Sequence, residues 1–315
     1  MVTKPSTAQV RLITVDESGD GQRIDNFLLK NLKGAPRTLI YRLLRKGEVR
    51  VNKGRAKPER KLVIGDVVRI PPVRLGEDDR PNPTDKQQKD ILKTIIYEDD
   101  LMIIVNKPSG WAVHGGSGVS LGVIEALRAA RPELTQLELA HRLDRDTSGC
   151  LMLAKKRVAL KMLQELQRQG RIQKHYLALL TGRWRKGKAT VDAPLRKNTL
   201  SGGERVVRVD PEGKPSRTFF EVLGRYGDAT LVEATLDTGR THQIRVHAAY
   251  LGTPILGDPK YGDEAANRQM RELGLRRLFL HAHSLAFTWP DTGKRFAIKA
   301  ELPDELQALL DTLGK

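Results

Sequence analysis

Near the N-terminus, apolar residues recur at helical spacing in two short stretches. Ile24, Phe27, Leu28 and Leu32 would line one face of a helix over residues 23–32, with Gly34 just beyond it as a stop. Pro36 suits the first turn of a second helix, whose stripe is Leu39, Ile40, Leu43 and Leu44 and whose end is Gly47. Alternation over 48–51 then predicts a half-buried strand, 52–55 a turn, and 62–70 a short strand pair around Gly65-Asp66. Residues 1–15 read as a mobile polar tail, and 76–90, rich in Pro, Asp and Gln, as a linker. The expected organisation is a small α/β domain over 16–75 and a large domain over 91–315.

The large part mixes periods. Residues 101–105, 150–154 and 175–180 are apolar runs expected as buried strands, and 229–236, 279–287 and 296–300 are further β-like segments. Leu160, Leu163 and Leu166 mark a helix ended by Gly170. A Gly-rich loop over 113–118 leads into a helix near 122–131, but it carries neither nucleotide-loop spacing, so no nucleotide cofactor is expected. Many strands with few helices between them predict an α+β fold on a mixed, largely antiparallel sheet with flanking helices.

Charge narrows the partner. Lys and Arg number 55 against 38 Asp and Glu, a formal net charge of +17, which calls for a polyanion. No apolar run approaches the roughly 20 residues that span a bilayer, and the N-terminus lacks the apolar segment of a secretory signal. Nucleic acid is therefore expected, and no membrane. Cys150 is the only cysteine, which excludes an intrachain disulfide and points to the cytoplasm. In the small domain Arg37, Arg42, Arg45 and Lys46 fall outside the apolar stripe of the second helix, and Arg50 and Lys53 follow it. That concentration favours contact with RNA phosphates over an ordinary solvated face.

The densest charge lies in His141-Arg-Leu-Asp-Arg-Asp-Thr-Ser-Gly149, directly before a buried strand. Taken alone it reads as a self-neutralising surface turn. A second constellation, Gly239-Arg-Thr-His-Gln-Ile-Arg-Val-His247, reads as a strand on which Arg245 shares a face with Gln243 and His247. If Arg245 reaches Asp144, the pair orients the carboxylate and favours its charged form. A lone carboxylate facing a nucleoside suits chemistry at C1′ of the sugar. Asp146 is the nearest second carboxyl, but its flanking arginines disfavour a general acid there. His281-Ala-His283 would place two rings on one strand face; no third ligand is evident, and no metal is expected. No G-x-S-x-G elbow is present.

These motifs resemble the pseudouridine synthases that act on structured RNA, in the branch that includes large-subunit ribosomal enzymes. The matching blocks, in order, are Val105-Asn-Lys-Pro-Ser-Gly110, the segment 141–149, Lys174-His-Tyr176, 239–245, Pro254-Ile-Leu-Gly-Asp258 with Tyr261-Gly262, and Arg277-Leu-Phe-Leu-His-Ala282. In the small domain, Arg23-Ile-Asp-Asn-Phe27, the segment 41–52 and Gly65-Asp66 resemble the S4 RNA-binding domain. The resemblance implies isomerisation of uridine by breaking N1–C1′ and forming C5–C1′, without a cofactor. It implies Asp144 as the catalytic aspartate, Tyr176 as the residue stacked on the target base, and Arg245 as the arginine paired with the aspartate. Arg142 would occupy the gap left in the RNA, and Leu280 would close the base pocket. Whether Asp144 attacks C1′ or removes a sugar proton stays open, as does a phosphate-facing or structural role for Lys107 and Lys174. The implied partner is 23S ribosomal RNA or a large-subunit precursor particle, approached by a monomer. An RNA-binding assembly protein with a vestigial site and an RNA N-glycosidase are the competing readings.

Overall fold

The structure is a computed structural model describing residues 9–32, 35, 37–73, 82–115, 121–184, 187–199 and 205–314. Gly34, Pro36, residues 1–8 of the expected tail, 76–81 of the expected linker and 116–118 of the Gly-rich loop lie outside the described residues. The chain divides into two units, Met1–Asn82 and Pro83–Lys315.

The first unit contains β1 (Arg11–Thr14), α1 (Ile24–Asn31), α2 (Arg37–Lys46), β2 (Arg50–Val51), β3 (Gly54–Arg55) and β4 (Val67–Ile70). Its antiparallel sheet has the order β1-β4-β2-β3. Ile24, Phe27, Leu28, Ile40, Leu43 and Leu44 form one core with Val51, Val68 and Ile70, as the helical stripes require. Asp25 ties the two helices together: Arg23 donates to it through Nε and Nη2, and Tyr41 Oη donates to Oδ2 at 3.0 Å.

Two expectations for this unit are corrected. β1 lies inside the stretch expected as a mobile tail, where its pairing with β4 satisfies the backbone. Residues 62–70 make one strand, not a pair, because 63–66 close a turn: Asp66 N–H donates to the Val63 carbonyl and Val63 N–H to Asp66 Oδ2. Between β2 and β3, Asn52 and Lys53 both have positive φ (49° and 67°), which matches the right-handed strand twist of a two-residue hairpin loop.

The second unit comprises α3 (Asp85–Lys93), β5 (Ile95–Glu98), β6 (Met102–Lys107), α4 (Val123–Ala130), β7 (Glu138–Leu139), β8 (Ser148–Ala154), α5 (Arg157–Arg168) and β9 (Gln173–Thr181). It continues with β10 (Lys188–Asp192), β11 (Leu195–Thr199), β12 (Arg205–Val209), β13 (Arg217–Tyr226), β14 (Ala229–Leu236) and α6 (Gln243–Tyr250). It closes with α7 (Glu264–Glu272), β15 (Leu280–Thr288), β16 (Arg295–Lys299) and α8 (Asp304–Leu313). The main sheet runs β10-β13-β14-β9-β15-β8-β6-β5, with β16 on β15 and β7 on β8, while β11 and β12 form a separate hairpin. Only the short β15–β8 pairing is parallel among these, so the sheet is mixed and largely antiparallel.

Helices cover both faces of the central strands. Along β8, Cys150 and Met152 pack with Leu160, Leu163 and Leu166 of α5, while Leu151 and Leu153 pack with Ile124 and Leu127 of α4. Burial on both sides is why residues 150–154 read as an unbroken apolar run. Gly149, the second residue of this strand, has φ 109°, and a Cβ there would lie 2.3 Å from the Ala282 carbonyl oxygen. Only glycine allows β8 and β15 to meet at that point.

The segment 243–250 is a helix, not the expected strand. Ile244 and Val246 favour strands locally, but Gln243 through Ala248 are buried all round, so tertiary packing overrides propensity and erases the helical period. Gly252, at φ 74°, follows its end. Arg245 therefore does not share a face with Gln243 and His247. Gln243 turns to Thr218 and Thr238, and His247 bonds Thr218 Oγ1 and the Ala193 carbonyl.

Candidate active site

A cleft of about 600 Å³ opens in the second unit, lined by the loop after β7, the start of β9, the turn into α6, and Leu280. Arg142, Asp144, Tyr176, Arg245 and Leu280 all line it, so five residues expected from separate motifs converge on one cavity. Arg142 is exposed, Asp144 half-buried, and Tyr176 and Leu280 are buried.

The loop carrying Asp144 is held from below by Lys107, at the end of β6. Its fully buried ammonium donates to the carbonyls of Pro108 (2.8 Å), Trp111 (2.8 Å) and Arg145 (2.9 Å). Gly110 N–H also donates to the Arg145 carbonyl, and Ser109 Oγ to that of Asp146. Lys107 is thus a structural pin under the motif. Lys174 does line the cleft, where it donates to Gln167 Oε1 at 2.9 Å.

Arg245 is 3.7 Å from Asp144, through Nη1 and Oδ2. Its tightest partner is Asp258, which sequence reading had left without a role. Nε donates to Asp258 Oδ2 and Nη2 to Oδ1, each at 2.7 Å, with side-chain exposures of only 5% and 0%. Burial disfavours charge on both groups, yet the bidentate pair outweighs it: Asp258 is held below its ordinary pKa and Arg245 above its own. Asp258 Oδ1 also accepts from the backbone N–H groups of Lys260 and Tyr261, so the same carboxylate shapes the next loop. Tyr261 then lays its ring 5.1 Å from the Arg245 guanidinium carbon. The sequence signal for Asp258 was its place at the end of the block 254–258, which carries the resemblance but names no partner.

Burial, with the Asp144 carboxylate beside it, pushes the Tyr176 phenol up, so it stays protonated at neutral pH. Asp146 is turned away from this cleft. It lies 3.3 Å from Arg145 and lines a second cavity, of about 1010 Å³, with Ser148 and Arg277. Asp237 is the other carboxylate on the cleft lining; it is exposed and lies 3.8 Å from Arg217.

No metal pair forms at 281–283. Ser148 Oγ accepts from Arg277 and so directs its proton to His281 Nδ1 (2.9 Å), while Nε2 donates to the Ala300 carbonyl at 3.1 Å. Among the described residues no group of three potential metal ligands occurs, and no helix is long and apolar enough to cross a membrane. In the first unit Arg42, Arg45, Lys46, Arg50 and Lys53 are exposed, while the side chain of Arg37 lies outside the described residues.

A mixed sheet that brings one half-buried carboxylate and a tyrosine into a basic cleft defines a catalytic domain suited to an anionic substrate. Comparison with known proteins gives the class a name: residues 101–250 match the RNA pseudouridylate synthase family and 22–68 the S4 domain. The chain is 56% identical over 308 residues to ribosomal large subunit pseudouridine synthase C of Haemophilus influenzae, covering 97% of this chain and 96% of that one. It is 55% identical over 317 residues to the protein of that name from Escherichia coli, covering 99% of each. Among solved structures, human RNA pseudouridylate synthase domain containing 4 superposes with a TM-score of 0.60 at 28% identity, over 72% of this chain and 95% of that chain. The chain belongs to the RNA pseudouridylate synthase family and isomerises uridine to pseudouridine in RNA.

Proposed function

We propose that the substrate is large-subunit (23S) ribosomal RNA, free or in an assembling particle, and that Asp144 is the catalytic carboxylate. The observation that carries this is the position of Asp144, the half-buried carboxylate of the cleft, 3.7 Å from Arg245 on a lining it shares with Tyr176. The similarity of name and length to large-subunit enzymes supports the choice of RNA. The single buried Cys150 suits a reducing cytoplasm.

A stacked uridine cannot reach Asp144, so the nucleotide is flipped into the cleft at a cost of a few kcal/mol. Stacking on Tyr176 returns about 1–3 kcal/mol, Leu280 closes the apolar side of the base pocket, and Arg142, exposed at the mouth, takes up the gap in the RNA. Asp144 acts at the ribose, by attack on C1′ or by taking a sugar proton. N1–C1′ breaks, the retained uracil turns, C5–C1′ forms, and the proton from C5 is lost as N1 gains one. The base never leaves the site, which is why one carboxylate suffices where a glycosidase needs two. Arg37, Arg42, Arg45, Lys46, Arg50 and Lys53 of the S4 domain hold RNA phosphates.

Asp144→Asn tests the assignment. Carbodiimide mapping of treated 23S RNA should show no new pseudouridine while filter binding stays within a few fold of wild type. Full-rate turnover by this variant would overturn the role of Asp144, and release of free uracil by the wild type would identify an N-glycosidase.

A further inference from the structure

Asp144 has a second neighbour whose placement is as constrained as that of Arg245. His242 forms the N-cap of α6 with φ 55° and ψ 21°, a left-handed backbone that non-glycine residues rarely adopt. Strain of this kind persists where surrounding structure enforces it. Here it aims the imidazole into the cleft, with 19% of the side chain exposed.

Tyr261 sits against one of the two ring nitrogens. Its hydroxyl oxygen accepts from Val207 N–H at 3.0 Å and lies 2.8 Å from His242 Nδ1. With one lone pair of that oxygen taken by Val207, the hydroxyl hydrogen turned onto Nδ1 gives His242 its Nε2–H tautomer. The proton of the neutral ring then sits on Nε2, and Nε2 lies 3.9 Å from Asp144 Oδ2. Arg245 Nη1 approaches that same oxygen at 3.7 Å. Both separations exceed a hydrogen bond, as is common before substrate closes a catalytic site.

We propose that His242 is a positioning residue: a neutral Nε2–H donor, locked in that tautomer by Tyr261, that holds Asp144 by Oδ2 together with Arg245 and presents Oδ1 to the ribose. The role rests on the reading of Asp144 as the catalytic carboxylate. A neutral donor suits the task because it orients the carboxylate without adding a second full charge beside Arg245, which would weaken Asp144 as nucleophile or base. The groups around the ring support a neutral state. Burial lowers the pKa of His242; Asp144 and Asp258 oppose this, and Arg245 and Lys260 add to it.

Two measurements on the full chain test the proposal. The ¹⁵N spectrum at neutral pH, assigned by difference from a His242 variant, should show the Nε2–H tautomer. A ring protonated on Nδ1 alone would overturn the mechanism, whatever the kinetics. In single-turnover assays on 23S RNA, His242→Phe should isomerise about tenfold to a hundredfold more slowly with RNA affinity unchanged. His242→Gln, whose amide N–H can reach the same oxygen, should recover to within a few fold, and its rate should no longer fall where the His242 ring protonates. Equal defects in Phe and Gln, or a normal rate in Phe, would remove the role. Asp144→Asn run in parallel separates the two readings: if it turns over at full rate, both fall; if it is inactive while His242→Phe is normal, only the positioning role falls.

Discussion

The two units place their cations differently. In the S4 unit Arg42, Arg45 and Lys46 stand exposed along α2, with Lys53 raised on the tip of a hairpin. In the catalytic unit Arg245, Asp258 and Lys107 are buried, and each is engaged by a definite partner. Exposed cations act through counterion release, so they supply affinity that salt can erode. Buried charges are costly to desolvate and, once paired, supply geometry that salt barely touches. The contrast predicts that damage to the buried set appears in fold and rate, and damage to the exposed set in salt-dependent binding.

The largest effect should come from Asp258→Asn. It breaks the bidentate clamp and leaves the Arg245 guanidinium buried without a counter-charge, for which a loss of roughly 3 kcal/mol is expected. Urea unfolding followed by tryptophan fluorescence reads this unit alone, because Trp111, Trp184 and Trp289 all lie in it. The single-turnover rate should fall at least tenfold, because Arg245 and Tyr261 both lose their anchor. An unchanged urea midpoint would mean the clamp is not a stabilising element.

An effect on stability of the same order separates the units by pH. All seven histidines lie in the catalytic unit and none in the S4 unit. His281 is pulled down to about 4, chiefly by burial, and His141, His242 and His247 are also lowered, chiefly by burial. The unfolded chain titrates these rings near the ordinary 6.5 and so binds more protons than the folded one below that value. Stability is therefore fully present above about pH 6.5 and is lost as the pH falls toward 4. His281 alone accounts for roughly 3 kcal/mol across that window. The tryptophan-detected midpoint should drop between pH 6.5 and 4.5, and His281→Gln should flatten the slope. A midpoint that holds steady through this range would refute the linkage.

Much of this arrangement was legible in the chain, for identifiable reasons. Strands such as β6 and β8 show as apolar runs because helices cover both their faces, and α1, α2 and α5 show as stripes because each has one wet side. That Asp144, Tyr176, Arg245, Arg142 and Leu280 belong together was implied by the family resemblance of motifs far apart in sequence, and all five line one cleft. What stayed hidden was decided by tertiary contact. The helix of residues 243–250 has no polar face to betray its period. The preference of Arg245 for Asp258 over Asp144 depends on distances that no spacing encodes, 2.7 Å against 3.7 Å. The links from Val207 through Tyr261 to His242 join three segments that composition cannot connect.

The smallest effect tests the exposed side of the contrast. Replacing Arg42, Arg45 and Lys46 with Gln removes three cations from the wet face of α2 and leaves Ile40, Leu43 and Leu44 in the core. Stability should stay within about 0.5 kcal/mol, as for most surface substitutions. If each side chain holds one phosphate, the slope of log affinity against log salt should shrink by about 2, from roughly 0.7 for each contact to single-stranded RNA. Affinity should fall more at low salt than at high salt, and more than the isomerisation rate falls. The measurement is a filter-binding titration of 23S RNA at several salt concentrations. A slope equal to that of wild type would assign these cations to a solvated face and move the RNA contact to another part of the S4 unit, with Arg50 and Lys53 on the hairpin the next residues to replace.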